Sequence, residues 1–230
     1  MANVDSFGQL VIRGGGIVPL ANALTTESIL DEVPTDANFV GSAQSAGTFA
    51  TQQLGRSVVV SAGLTAENDI SYAFIRSAGQ IKMALPVSGV NSGYKMPAPL
   101  PYPKMLESGD QVMAMTNTVA DREVSLSVAC SNGEYHVFAV TPSSANEWEL
   151  VSVLTGNSIG ETLQGRTVTH AFAMGGNNSL NFSSPIYFLD GAGVPVGSVT
   201  PNDPAFDNGQ FEPCTVAIKL NTRAVFRTDA

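Results

Sequence analysis

The pattern of apolar and polar positions changes character near residue 56. Before it, Gly, Ala, Ser and Thr dominate and only two stretches carry a pattern. Gln9 to Arg13 predicts a brief strand. Thr25 to Val33, "TTESILDEV", opens with a threonine cap and an acidic first turn and must stop before Pro34, which predicts one short helix. From Arg56 on, strand patterns follow in quick order: "SVVVSA", "DISYAFIR", and "QIKMALPV", with Ile81, Met83, Leu85 and Val87 on one face. "YKMPAPLPYPKM" places four of the 13 prolines within seven residues, so it is an extended connection and no central strand. Further strands are predicted after the "LESGD" turn and at "EWELVSVL", "RTVTHAFAM", "PIYFLD", "VPVGSV" and "EPCTVAIKLNTRAVF". About ten strands at short spacing, without a long helical period, predict an all-β protein: an antiparallel β-sandwich of jelly-roll type. Residues 1–55 are expected to form an extended arm with a short helix, and 56–230 the sandwich body. No internal repeat is legible in the residues.

The clearest local signal is "REVSLSVACSNGEYHVFAVTP", two alternating runs around Asn132-Gly133. A two-residue turn there would set Ala129 opposite His136 and Cys130 opposite Tyr135. Val124, Leu126, Val128, Cys130, Tyr135 and Val137 would then share one face, and His136, Phe138 and Val140 the other, beside Ser125, Ser127 and Ala129. Both faces are partly apolar, so a cover is expected over the second: the arm, a loop or a neighbouring subunit. On this register His136, Phe138 and Val140 are candidate interface residues, and Phe138→Asp is expected to stay soluble while losing multimers.

Composition narrows the function classes. Apolar residues make up 43% and charged ones 13%, with a formal charge of −9. That is a folded, weakly charged chain, and a broad basic surface for nucleic acid is not expected. The start, "MANVDSFGQLVIRGGG", lacks a basic region followed by an apolar stretch, so no signal peptide is expected and synthesis is placed in the cytoplasm. Cys130 and Cys214 lie in apolar alternations far apart in sequence, and read as buried thiols.

Three constellations invite a chemical reading. Gly156-Asn157-Ser158-Ile159-Gly160 matches the G-x-S-x-G elbow of serine hydrolases, which needs a long helix after the serine and then an acid and a histidine. Here the helix is one turn at most, and His170 shares parity with Val168, Phe172 and Met174 on an apolar strand face. A glycine-flanked hairpin loop is the reading, and Ser158→Ala is expected to leave function intact. Cys130 and His136 would point to opposite sides of the hairpin, which no cysteine nucleophile tolerates. "NDPAFDNGQFE" gathers Asp203, Asp207, Asn208 and Glu212, oxygen ligands of the kind calcium takes, but Ala205 breaks the D-x-D-x-D-G spacing. A solvated loop is the plainer reading, and a structural calcium the one cofactor the residues admit. The chain is expected not to be an enzyme.

The Gly-Asp-Gln-Val lead into a strand at Gly109 to Val112, the Asn-Gly hairpin, the Pro-rich connector and the extended arm before Arg56 together resemble the jelly-roll capsid proteins of tailless icosahedral viruses. The resemblance is one of composition and strand rhythm and transfers no functional residue. It implies a virion structural protein that forms a shell with copies of itself, and it admits a second capsid protein and an internal membrane as partners. The arm's single cation, Arg13, does not suit genome binding. The alternative is a lectin-like or tail-spike binding module, for which Tyr94, Tyr102 and Trp148 are the candidate aromatics.

Overall fold

Two successive groups of eight strands carry the architecture, and both are laid out in the same order. A computed structural model of the protein describes residues 10–12, 16–17, 49–53, 55, 57–62, 64–65, 70–78, 80–88, 98–116, 124–140, 142, 147–174, 184–201 and 210–227. In the first group β1 (Leu10–Ile12), β2 (Gly16–Ile17), β4 (Val58–Ala62) and β9 (Pro99–Leu106) form a sheet ordered β2-β1-β4-β9. Its companion, from β3 (Phe49–Gln53), β6 (Ile70–Ser77), β7 (Gln80–Leu85) and β10 (Gln111–Thr116), is ordered β3-β10-β6-β7. In the second group β11 (Val124–Cys130), β12 (Tyr135–Val140), β15 (Thr167–Met174) and β18 (Glu212–Ala217) are ordered β12-β11-β15-β18, with β14 (Val151–Ser152) added outside β12. Their companions β13 (Glu147–Glu149), β16 (Ile186–Leu189), β17 (Pro195–Val199) and β19 (Arg223–Arg227) are ordered β13-β19-β16-β17. Numbered one to eight within each group, both units read 2-1-4-7 and 3-8-5-6.

The ladders of both units are antiparallel, with β5 (Leu64–Thr65) and β8 (Val87–Ser88) a separate parallel pair. The protein is all-β, and α1 (Ile159–Leu163) is the one helix among the described residues. Two expectations change. The segment read as an arm supplies strands to both sheets of the first unit: β1 pairs with β4 through Val11↔Val59, and β3 with β10 through Thr51↔Met113. The repeat, illegible in residue identity, is present as strand order. The helix expected at Thr25 to Val33 lies outside the described residues.

Each unit closes over its own core. Between the first unit's sheets lie Val60, Leu100 and Leu106 from one side and Ala73, Ile75, Met83, Leu85 and Val112 from the other. The second core is larger, with Leu126, Val128 and Phe138 facing Ile186, Phe188 and Phe226, and Ile159 and Leu163 of α1 sealing it. Glu147 to Ser152 changes sheets midway. β13 pairs with β19, Leu150 donates its N–H to Ala224 O at 2.8 Å, and β14 then pairs with β12.

The turns before strand eight repeat as well. Asp110 N–H donates to Glu107 O at 3.1 Å, while the Asp110 carboxylate accepts from Glu107 N at 3.0 Å. Thr222 N–H donates to Lys219 O at 3.0 Å, and Thr222 Oγ1 accepts from Lys219 N at 2.9 Å. Asp110 and Thr222 are both buried polar residues beneath exposed turns, and each side chain is satisfied by a backbone N–H of its own turn. This accounts for the Gly-Asp-Gln-Val lead structurally. Burial alone would raise the Asp110 carboxyl, but hydrogen bonds from Lys82, Ser77 and the Glu107 backbone outweigh it and hold the group below its ordinary value. A lowered folded value means that this contribution is complete above the ordinary carboxylate range and lost as pH falls through the lowered one. Asp110→Ala is therefore expected to cost roughly 2 kcal/mol at neutral pH. The gap in denaturant midpoint between parent and variant should narrow as pH falls below the ordinary carboxylate range and through the lowered value, and an equal gap at every pH would contradict this.

Candidate functional site

The hairpin at Asn132-Gly133 fixes the faces of the β11 sheet, and its loop has three residues. Cys130 N–H donates to Glu134 O at 2.9 Å and Gly133 N–H to Cys130 O at 2.7 Å, with Gly133 in the left-handed region at φ 78°. The register is Ala129↔Tyr135, Val128↔His136, Leu126↔Phe138 and Val124↔Val140. One residue of slip moves a whole strand to the other face. The interface expectation for His136, Phe138 and Val140 is corrected accordingly. They lie on the Leu126 side, where Phe138 and Val140 are buried in the second unit's core.

The other face is covered, as its apolar content requires, and the cover is this chain's own first unit. Phe74 and Ala84 lie on Val137 and Ala139, Ala98 packs with Phe172 and Met174, and Ala129 and Tyr135 close the end of the first core. Tyr135 Oη accepts from Tyr102 N at 2.7 Å and donates to Tyr102 O at 2.9 Å, so one phenol satisfies both backbone groups of Tyr102 in the Pro-rich strand. Burial pushes that phenol up to about 12. The Pro-rich segment is an edge strand, as its missing N–H groups demand.

The chemical candidates resolve one by one. Ser158 caps α1. Its Oγ accepts from Glu161 N at 3.2 Å, and Glu161 Oε2 accepts from Ser158 N at 2.9 Å, a complete capping box. The loop before it is narrow, with Val151 and Ser158 in an antiparallel bridge, and it leads straight into a five-residue helix, slightly longer than the single turn expected after the hairpin loop. His170 does not share a face with Val168. The register shifts between them at Thr169, which turns Val168 into the second core and sets His170 opposite Ala129 on the reverse side. There His170 packs edge-on against Tyr102 and its Nδ1 lies 3.2 Å from Thr169 Oγ1. Ser158→Ala should lower stability by about 1 kcal/mol through loss of the cap, and Ser158 should not be labelled by a fluorophosphonate. Labelling of that residue would contradict the assignment.

Cys130 and His136 share a face, contrary to the two-residue-turn reading. The thiol is nonetheless unsuited to attack. Burial, with the Glu134 charge adding to it, pushes it up to about 11, so the neutral thiol is favoured at pH 7. Burial likewise lowers His136, against the pull of Glu134, whose Oε2 stands 3.5 Å from Nε2. Glu134 itself is held by a two-pronged Arg166, with Nε and Nη2 at 3.0 and 3.2 Å. Burial opposes ionisation of Glu134, and hydrogen bonds from Asn132 and Arg166 reverse that, keeping its carboxyl below the ordinary value. Glu212 is exposed at the start of β18, while Asp203, Asp207 and Asn208 lie outside the described residues. Of the candidate aromatics, Tyr102 and Trp148 are packed against cores and Tyr94 lies outside the described residues.

The surface offers a different kind of site. Val194, Val196 and Leu220 are 54%, 46% and 57% exposed, the large apolar side chains standing in water among the described residues. They cluster at β17, the edge strand of its sheet, and at the turn before β19, which abuts the turn before β17 because a Cβ on Gly191 would collide with the Asn221 side chain. Sequence reasoning missed this patch: alternation predicts a strand at "VPVGSV" and says nothing of which edge is free. Among the described residues no helix is long and apolar enough to cross a membrane. Comparison with protein-family models, curated sequences and solved structures gave no match.

Proposed function

We propose that this chain is a virion structural protein, a shell subunit of jelly-roll type that assembles with copies of itself. The observation that carries the reading is the tandem strand order. Eight antiparallel strands in two four-stranded sheets, ordered 2-1-4-7 and 3-8-5-6, follow the order expected of a jelly roll whose last strand has moved to the front, and the presence of two such units packed together supports the reading. A protein built as two like tiles, with its conspicuous serine and cysteines committed to caps and cores and an apolar edge left in water, is made to be laid against others. The place of action is the virion, and the partners are copies of the chain, with a second capsid protein and an internal membrane admitted. Negative-stain microscopy of the full chain, concentrated stepwise, tests the reading. Closed shells or curved arrays of a regular unit are expected; isolated particles of 24.0 kDa at every concentration would overturn it.

A further inference from the structure

Among the described residues one buried side-chain nitrogen lacks a hydrogen-bond partner, Nε2 of His136. Native structures pair nearly all such atoms, so an exception calls for an explanation. Side chains at paired positions of a ladder share a face, and the Val128↔His136 pair therefore sets the ring on the second core's side of β12, two residues before Phe138. Its neighbours Tyr135 and Val137 point the other way and pack with the first unit. The ring thus stands where the second core ends, on a strand that both units share.

Among the described residues the charged groups that act on the ring are Glu134, on the hairpin tip, and Arg166, in the turn between α1 and β15. Glu134 Oε2 stands 3.5 Å from Nε2, an approach without a hydrogen bond. The same carboxylate is taken up by Arg166, through Nε at 3.0 Å and Nη2 at 3.2 Å. Ser131 N–H donates to Thr167 O at 2.9 Å, so an ion pair and a backbone bond fasten the tip to the start of β15. Behind the tip, Cys130 ends the row of core side chains on β11. The neutral ring fits this arrangement, and the cation does not. Imidazolium carries an N–H on both nitrogens, and at Nε2 the new charge meets a carboxylate already committed to Arg166. The ring must draw Glu134 from Arg166 or leave its dry site for water. Burial, with Arg166 adding to it, outweighs the pull of Glu134 and holds His136 below its ordinary value.

We infer that His136 is an acid-sensitive catch: protonation of its ring frees the hairpin tip from the second core and opens that core's end at Cys130. The catch is internal to one chain and needs no partner. Its sign follows from proton binding. With the folded value below the ordinary 6.5, the unfolded chain takes up the proton first, so stability is intact above that value and is lost as pH falls from there through the lowered one. The geometry sets the place of the opening, since the groups that hold the tip, Glu134 and Arg166, are the ones the new charge disturbs.

Two measurements on the full chain test this, each at about pH 7.5 and about pH 5, either side of the ordinary histidine value. The chain's one tryptophan, Trp148, packs on the second core, so its fluorescence reads the urea midpoint of that unit. The parent should lose stability on acidification that His136→Gln and His136→Phe keep, because neither side chain takes up a proton. Labelling with dithiodipyridine, which reacts with thiols in acid, reads the opening itself, with mass spectrometry telling the two cysteines apart. Both thiols are buried and burial holds both above their ordinary value, so ionisation leaves the ratio of their rates unchanged between the two conditions. In the parent Cys130 should gain severalfold on Cys214 at the lower pH, and in the variants it should not. Equal pH dependence of midpoint in parent and variants would overturn the titration of His136. A constant ratio in the parent would overturn the opening, and that comparison needs no variant to fold.

Discussion

Phe138→Asp should fail to fold. Phe138 is fully buried between Leu126 on its own sheet and the facing sheet of the second unit. Removing a buried phenylalanine costs about 3 to 5 kcal/mol, and an unpaired carboxylate in the cavity adds a desolvation cost of several more. Against a total stability of about 5 to 15 kcal/mol for a typical domain, that is enough to unfold the second unit. The two-residue-turn register led to a soluble variant that loses multimers; the three-residue loop reverses this. Circular dichroism and solubility on expression decide between them, and a soluble Phe138→Asp with native melting would contradict the register itself.

Gly160→Val should be nearly as damaging for a different reason. A Cβ at Gly160 would sit 2.6 Å from Thr222 O and would collide with Leu220 O, both backbone atoms of the turn that leads into β19. Backbone cannot swing aside as a side chain can, so α1 must lift off and uncover Ile159 and Leu163. A cost of at least about 3 kcal/mol is expected, at the upper end for overpacking. The neighbouring Gly156 makes a useful contrast. It has φ 74° and open space around it, so Gly156→Ala meets only backbone strain, at about 1 kcal/mol. The two glycines of the elbow-like motif thus serve the turn and the helix packing. Equal denaturant midpoints for Gly160→Val and the parent would sink this explanation.

Most strands were legible because alternation reports them directly, from Val58–Ala62 to Arg223–Arg227. What alternation does not report is register. Asn132-Gly133 suits a two-residue turn, but the chain closes around Ser131 as well, and every side chain of β12 changes face. Thr169 has the same effect on β15, where one bulged residue separates His170 from Val168. The duplication was hidden because equivalent positions keep geometry and not chemistry. Asp110 and Thr222 close the same turn with different groups, and Lys82 and Val196 occupy the same bulge. The candidate surface was hidden for a related reason. Val194 and Val196 look like any apolar strand residues, and alternation does not report that β17 lies at the edge of its sheet.

Hydrogen exchange read by mass spectrometry, on the chain in assembled and dissociated states, tests the central claim most directly. The two-unit account predicts that peptides covering 184–199 exchange more slowly on assembly. Peptides covering Phe74 and β7 should be protected equally in both states, because the chain already covers that face. Exchange over 184–199 that is unchanged by assembly would contradict the account.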